Sequence, residues 1–278
     1  MDLAGSRPVT SAKAWLRAHF GLWPLLELRN RVIWGPNAAA WRFFEWREVR
    51  RHSRELGQLP ATLVTTIIPT YRRPELLPQA VASALGQTVS DHLVVVVDDG
   101  GGDLPDLPDD ERLVAISLSR NTRRLGLVRN VGIRLTRSTY IAFLDDDNQW
   151  LPNHLAVATE ALDGGADLVY TAVERVRSDG SRMDTLSQDF DRRALGDRPG
   201  FVDANAIVVR RDAGVRFSVI RRAKQMLPKE DLEFVWRMSG RMRVRHVSVP
   251  TVRYLINEHS YYTGWTHDPK DGQIQSKR

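Results

Sequence analysis

Apolar positions along the chain change their rhythm near Leu59-Pro60. Ahead of that point, residues 11–56 read as helix, interrupted at Pro24 and near Gly35-Pro36 where proline and glycine punctuate the pattern. This stretch is not cleanly amphipathic. Trp41, Phe43, Phe44, Trp46 and Val49 cover more than one face, so some of them are expected to pack against the rest of the protein. Beyond it the apolar runs are short and continuous. Leu63 to Ile68 reads as a strand stopped by Pro69, and Leu93 to Val97, Leu113 to Leu118 and Tyr140 to Leu144 as three more. Helices fall between them over 74–85, with proline near its start, and over 124–136. Apolar strands alternating with helices predict an α/β fold with a mostly parallel sheet covered on both faces. Past Trp150 the pattern loosens into a helix over 155–162, a strand over 168–175 and a polar loop or ragged hairpin over 178–200. A strand over 201–210, a helix over 230–238 and one or two late strands over 244–254 complete the reading.

In parallel sheets ligands bind at the carboxyl ends of strands. Three of the first four strands end in residues that can carry chemistry: Pro69-Thr70-Tyr71, Asp98-Asp99 and Asp145-Asp146-Asp147. If the last triplet stays extended, Asp145 and Asp147 point one way and Asp146 the other. Paired carboxylates repel unless a cation lies near them, and hard oxygen ligands favour Mg²⁺ or Mn²⁺. Just before the triplet, residues 112–144 hold seven arginines and no acid. Metal-holding acids facing arginines are what a diphosphate requires, while Arg134 and Arg137 read as surface residues. Asp98 or Asp99, backed by glycines at 100–102, suits a nucleobase or ribose. Lys229-Glu230-Asp231 opens the helix that follows, where acids favour the macrodipole.

In this order the pieces resemble the family 2 glycosyltransferases, nucleotide-sugar enzymes with a GT-A fold. The matching segments are Ile67 through Arg73, Gln87-Thr88, Val96 through Gly100, Gly126 through Gly132, Tyr140 through Asp147, Trp150 with Pro152, and Glu230-Asp231 with Arg237. The resemblance covers about residues 63–255. It implies that Pro69, Thr70 and Tyr71 hold the nucleoside, that Asp99 reads the base with Asp98 beside it, and that Arg129 lies near the nucleotide. Asp145 and Asp147 match the Asp-x-Asp signature, Asp145 towards the ribose and Asp147 on the metal. Arg73 and Asp146 fall within the same nucleotide-sugar-binding motifs. Asp231 matches the general base of inverting members. A late histidine is sometimes a third metal ligand, and His259 is the candidate here. The implied activity moves a sugar from a nucleotide-diphosphate sugar to a hydroxyl acceptor that is a saccharide, lipid-linked or a small molecule. A retaining GT-A enzyme and a non-catalytic nucleotide-sugar binder or scaffold are the alternatives.

Composition narrows the classes. The 278 residues are 42% hydrophobic and 27% charged, with no cysteine, which excludes a disordered chain, disulfides and thiolate metal sites. No apolar run approaches the roughly 18 residues of a membrane span, and the first ten residues lack a signal-peptide core, so a cytoplasmic location is expected, peripheral at the inner face of the membrane if the chain docks there. The net charge is +6, but residues 1–60 hold ten Arg and Lys against five Asp and Glu, leaving the body nearly neutral. A nucleic-acid partner is therefore not expected. Five of the eight tryptophans lie in the same sixty residues. The expected organisation is a helical, basic and aromatic extension over 1–60, a GT-A domain over 61–258 with nucleotide and acceptor halves meeting at 150, and a tail over 259–278. The extension is expected to be a brace, a dimer contact or a membrane-docking surface.

Overall fold

Three helices precede the sheet: α1 (Ala12–Phe20), α2 (Leu22–Trp34) and α3 (Ala38–Leu56). The computed structural model describes residues 12–197, 201–222 and 226–256, with two short strands at 265–267 and 274–276. The first helix break falls at Gly21, whose φ of 81° a side chain would resist, and not at Pro24. Pro24 sits in the first turn of α2, where a missing N–H removes no helical hydrogen bond. The second break is the expected one, a 3-10 turn over Gly35–Asn37.

The four apolar runs form β1 (Val64–Thr70), β2 (His92–Asp98), β3 (Leu113–Ser117) and β4 (Tyr140–Phe143). They lie parallel in the order β3-β2-β1-β4. Thr70 pairs with Asp98, and Ile67 with Phe143, so all these strands finish at one edge of the sheet. Helices α4 (Leu77–Leu85) and α5 (Leu125–Leu135) make the crossovers that parallel neighbours need.

The second half is mixed. It comprises β5 (Asn148–Trp150), α6 (His154–Asp163), β6 (Leu168–Val176), β7 (Arg182–Leu186), α7 (Arg192–Asp197), β8 (Ile207–Arg210), α8 (Glu230–Met238) and β9 (Val244–Leu255). The strands β10 (Trp265–His267) and β11 (Ile274–Ser276) form a separate antiparallel pair. The sheet continues β4-β8-β6-β9-β5, with β8 antiparallel to both neighbours and β6 parallel to β9. The polar stretch after β6 is a hairpin strand, β7, followed by the short α7. The strand expected over 201–210 is shorter, because Asp203 caps a 3-10 turn over Ala204–Ala206 and only Ile207–Arg210 pairs.

The extension is packed onto this sheet. Trp23 and Phe44 join the same core as the strands. Helix α3 lies along α5, where buried Glu45 accepts from Asn130 Nδ2 at 3.1 Å and Arg134 Nη1 at 3.0 Å. Arg134 is thus a tether between two helices as well as a surface residue. Glu48 accepts from the Ser119 amide and hydroxyl at 3.0 and 2.6 Å beyond the end of β3. Removing a buried acceptor leaves its donors unpaired, at about 1–3 kcal/mol. Glu45→Ala should lower the unfolding free energy by that amount in a denaturant titration, whereas exposed Glu75→Ala should shift it by less than about 0.5 kcal/mol.

Candidate active site

A cleft of about 540 Å³ opens over the carboxyl ends of β1, β2 and β4. Its floor is Pro69, Thr70, Tyr71 and Arg73 after β1, Asp99 after β2, and the Asp145-Asp146-Asp147 triplet after β4. The start of α5, with Arg123 and Arg124 just ahead of it and Gly126 in its first turn, forms one wall. Gly126 is required there, since a Cβ would stand 2.5 Å from the Ser218 carbonyl oxygen.

Asp98 and Asp99 divide their work. Asp98 is 1% exposed and accepts from the Gly101 and Gly102 amides, holding the glycine turn shut. It does not line the cleft. Asp99 does, and it also accepts from the amides of Thr122 and Arg123 at 2.8 and 3.0 Å. Burial pushes its carboxyl up, against the pull of those donors. Gly100, at φ 72°, packs so closely on Arg120 that no side chain fits.

The triplet is not extended. β4 ends at Phe143 and Asp146-Asp147 form a turn, so the strand alternation does not apply and all three acids line the cleft. Arg73 Nη1 donates to both Asp146 and Asp147 at 2.8 Å, and Thr70 Oγ1 donates to Asp146 at 2.7 Å. Asp145 takes Arg129 Nη2 at 2.5 Å and Asn205 Nδ2 at 3.2 Å, while its own amide donates to Asn205 Oδ1 at 2.6 Å. Asn205 Nδ2 also donates to Asp203 at 2.7 Å. Burial, with the charge of Asp145, pushes Asp147 and Asp203 each up to about 6.

Helix α8 brings the last acid. Its Phe234 stacks on Phe217 at 4.3 Å between centroids, and both rings meet Phe143 edge-on at the end of β4. That aromatic cluster fixes the start of α8, where Glu230 reaches the cleft and Asp231 lies partly buried. Burial, then the neighbouring charges of Glu230 and Asp203, pushes Asp231 up to about 7, opposed in part by Arg129. A carboxyl with that affinity can exchange a proton near neutrality. Hard carboxylate oxygens on a cleft floor also suit Mg²⁺ or Mn²⁺. Among the described residues no three His, Cys, Asp or Glu gather as a ready cage, and a cation held by one or two carboxylates plus ligand phosphates needs none.

A family model for glycosyl transferase family 2 matches residues 65–223, more than half of the chain. The chain belongs to this family. The succinoglycan biosynthesis protein ExoO of Rhizobium meliloti is 32% identical over 151 residues, 52% of this chain and 43% of ExoO. The putative colanic acid biosynthesis glycosyl transferase WcaA of Escherichia coli is 33% identical over 101 residues, 34% of this chain and 36% of WcaA. The chain thus spans less than half the length of either relative. Among solved structures, S. aureus TarS 1–349 in complex with UDP-GlcNAc has a TM-score of 0.57 at 18% identity, over 75% of this chain and 63% of that one. The fold is that of the GT-A glycosyltransferases, as expected.

Within this family 2 chain the cleft gathers Pro69, Thr70, Tyr71, Arg73, Asp99, Asp145, Asp146 and Asp147. Asp98, Arg129 and Asp231 are not on its lining, Arg129 bonding Asp145 from behind and Asp231 lying next to Glu230, which is. His259 lies outside the described residues. Sequence reading missed Asp203, Asn205 and Arg222, isolated polar residues in a region without motifs. The signal for Asp203 and Asn205 was their i, i+2 spacing ahead of a strand, an Asx turn. The position of Asp231 also predicts a pH-dependent cost. Its carboxyl binds protons more tightly folded than unfolded, so its contribution to stability falls from about pH 4 to pH 7 and is level above. Asp231→Asn should melt higher than the native chain at pH 8, and calorimetric scans should show the gap closing towards pH 4.

Proposed function

We propose that the protein transfers a sugar from a nucleotide-diphosphate sugar to an acceptor hydroxyl, with inversion, using Asp231 as base and a divalent cation at Asp147 and Asp145. The observation that carries this reading is an acid-lined cleft of nucleotide-sugar size in a chain of this family, with Glu230 on its lining and Asp231, raised to about 7, next to it at the start of α8. Pro69, Thr70, Tyr71 and Asp99 surround the nucleoside in this reading, Arg73 and Arg123 orient the diphosphate end, and Arg129 acts on it from behind by holding Asp145. Asp98 supports Asp99 by closing the glycine turn. TarS, of the same fold, is described in complex with UDP-GlcNAc, which supports a nucleotide-sugar donor.

The chemistry asks little of the protein besides positioning and one proton transfer. Asp231 takes the proton of the acceptor hydroxyl as that oxygen bonds to the anomeric carbon. The bond from this carbon to the diphosphate oxygen breaks on the opposite face, and the nucleoside diphosphate leaves. A bound Mg²⁺ or Mn²⁺ would neutralise charge on the departing diphosphate. Residues 61–150 serve the donor and 151–258 the acceptor, which is consistent with α8 being the element that carries the base.

Calorimetric titration of UDP and GDP in Mn²⁺ and then in EDTA should show tighter binding with the metal; equal affinity would remove the cation from donor binding. Asp231→Asn should keep nucleotide affinity and lose about 10²–10⁴-fold in kcat. The native kcat/KM should rise with pH to a plateau, with its midpoint near 7. NMR of the product should show the anomer opposite to that of the donor. A product of the same anomer would point to a retaining enzyme, and full activity in Asp231→Asn to another base. A non-catalytic binder would show donor affinity with no turnover in any acceptor screen.

A further inference from the structure

Acids and apolar side chains are sorted to opposite sides of the N-terminal helices. Glu27, Glu45 and Glu48 are 7%, 3% and 3% exposed and face the body, where Arg222, Arg134 and Ser119 engage them. Among the described residues of α1–α3, Glu55 is the one exposed acid. The solvent sides instead carry Trp15, Phe20, Val32, Ile33, Trp34 and Phe43, each 51–72% exposed. Arginines are interleaved with them. On α3 Phe43 stacks on Trp46 at 5.7 Å, Arg50 lies over Trp46 at 5.2 Å, and Arg42 and Arg47 are exposed beside them. No helix among the described residues is long and apolar enough to cross a membrane.

We infer that the outer sides of α1–α3 dock on an anionic lipid bilayer. Tryptophan and phenylalanine enter the headgroup boundary, and the arginine stems lie along apolar surface with their charges at lipid phosphates. The charge sorting selects this occupant over a second copy. A two-fold contact through this face would set arginine against arginine, and the acidic run of the body, Asp103, Asp106, Asp109, Asp110 and Glu111, could meet it only in a head-to-tail contact between copies. The location fits a transferase. A groove lined by Arg31, Ala38, Arg42 and Arg216 runs from the α2–α3 corner and shares Ser218 and Ile220 with the active-site cleft. A docked bilayer would therefore lie beside the route to that cleft.

The test uses the full chain without donor, so it stands or falls separately from the transferase reading. Co-sedimentation is measured with phosphatidylcholine vesicles and with phosphatidylglycerol–phosphatidylcholine vesicles at low and high salt. Binding is expected to the anionic vesicles, weaker in salt, with a blue shift of tryptophan emission. Each arginine removed should weaken it about fivefold, so Arg42→Glu with Arg47→Glu should weaken it at least about 25-fold. Ile33→Ser with Trp34→Ser should weaken it similarly while leaving the melting temperature unchanged, because both side chains are exposed. No binding to anionic vesicles at low salt would overturn the inference. So would binding that survives both double variants, or a dimer in light scattering that these variants dissolve.

Discussion

The ion pair of Arg129 with Asp145 stands in the middle of six carboxylates: Asp145, Asp146, Asp147, Asp203, Glu230 and Asp231. Arg129 is 1% exposed, and its guanidinium lies over the Phe217 ring at 4.9 Å. Its burial is costly, and the charges of Asp145, Glu230 and Asp231 outweigh that cost, holding its proton more firmly than usual. Without this buried cation the acids at the end of β4 and at the start of α8 would confront one another directly. Among the described residues its Nε and Nη1 make no hydrogen bond, so the pair is electrostatically central but incompletely satisfied. Burial and mutual repulsion account for the raised carboxyls at Asp147, Asp203 and Asp231.

The N-terminal helices belong to this electrostatic arrangement. Arg222 lines the cleft with a side chain 3% exposed, and Glu27 of α2 accepts from it at 2.8 Å. Glu27 also takes Arg31, which reaches Glu233 of α8 at 3.0 Å, and Glu233 is held in turn by Arg237. One chain of ion pairs thus runs from α2 to the helix that carries Asp231. Buried pairs of this kind add little net stability, but breaking one leaves an uncompensated charge. Glu27 of α2 therefore braces Arg222 and α8 from behind, while Glu45 and Glu48 of α3 hold α5 and the chain after β3. The withdrawal of these acids inward is what leaves the outer sides basic and apolar.

What could be read from the sequence follows a physical divide. β1, β2 and β4 were legible because buried parallel strands are continuous apolar runs, and their ends were legible because acids directly after such runs have few structural reasons to be there. The Asn148–Trp150 strand was not, since three residues carry no periodicity and pair only with the distant Val252–Tyr254. Asp203 and Asn205 support Asp145 across about sixty residues of chain, a contact no local pattern encodes. The orientation of Asp146 was misread because β4 stops one residue before Leu144, so the period-two rule was carried into a turn. Asp98, the last residue of β2, and Asp99, the first beyond it, went to different tasks, one to the turn and one to the cleft.

The charge lining the cleft bears on the donor. Arg73, Arg123, Arg124 and Arg222 face Asp99, Asp145, Asp146, Asp147 and Glu230 there, so the protein supplies no excess of positive charge. Two of those arginine contacts are already taken, Arg73 by Asp146 and Asp147 and Arg222 by Glu27. A diphosphate entering such a site adds further negative charge in a partly desolvated space, where repulsion is stronger than in water. Fixed arginines alone do not balance it. In the proposed donor site a mobile cation shared between the carboxylates and the phosphate oxygens would balance it, and would convert the crowding that raises Asp147 into affinity. The same cation would also free Arg73 from Asp147 to meet the ligand, which is the electrostatic argument for counting a metal in the proposed donor site.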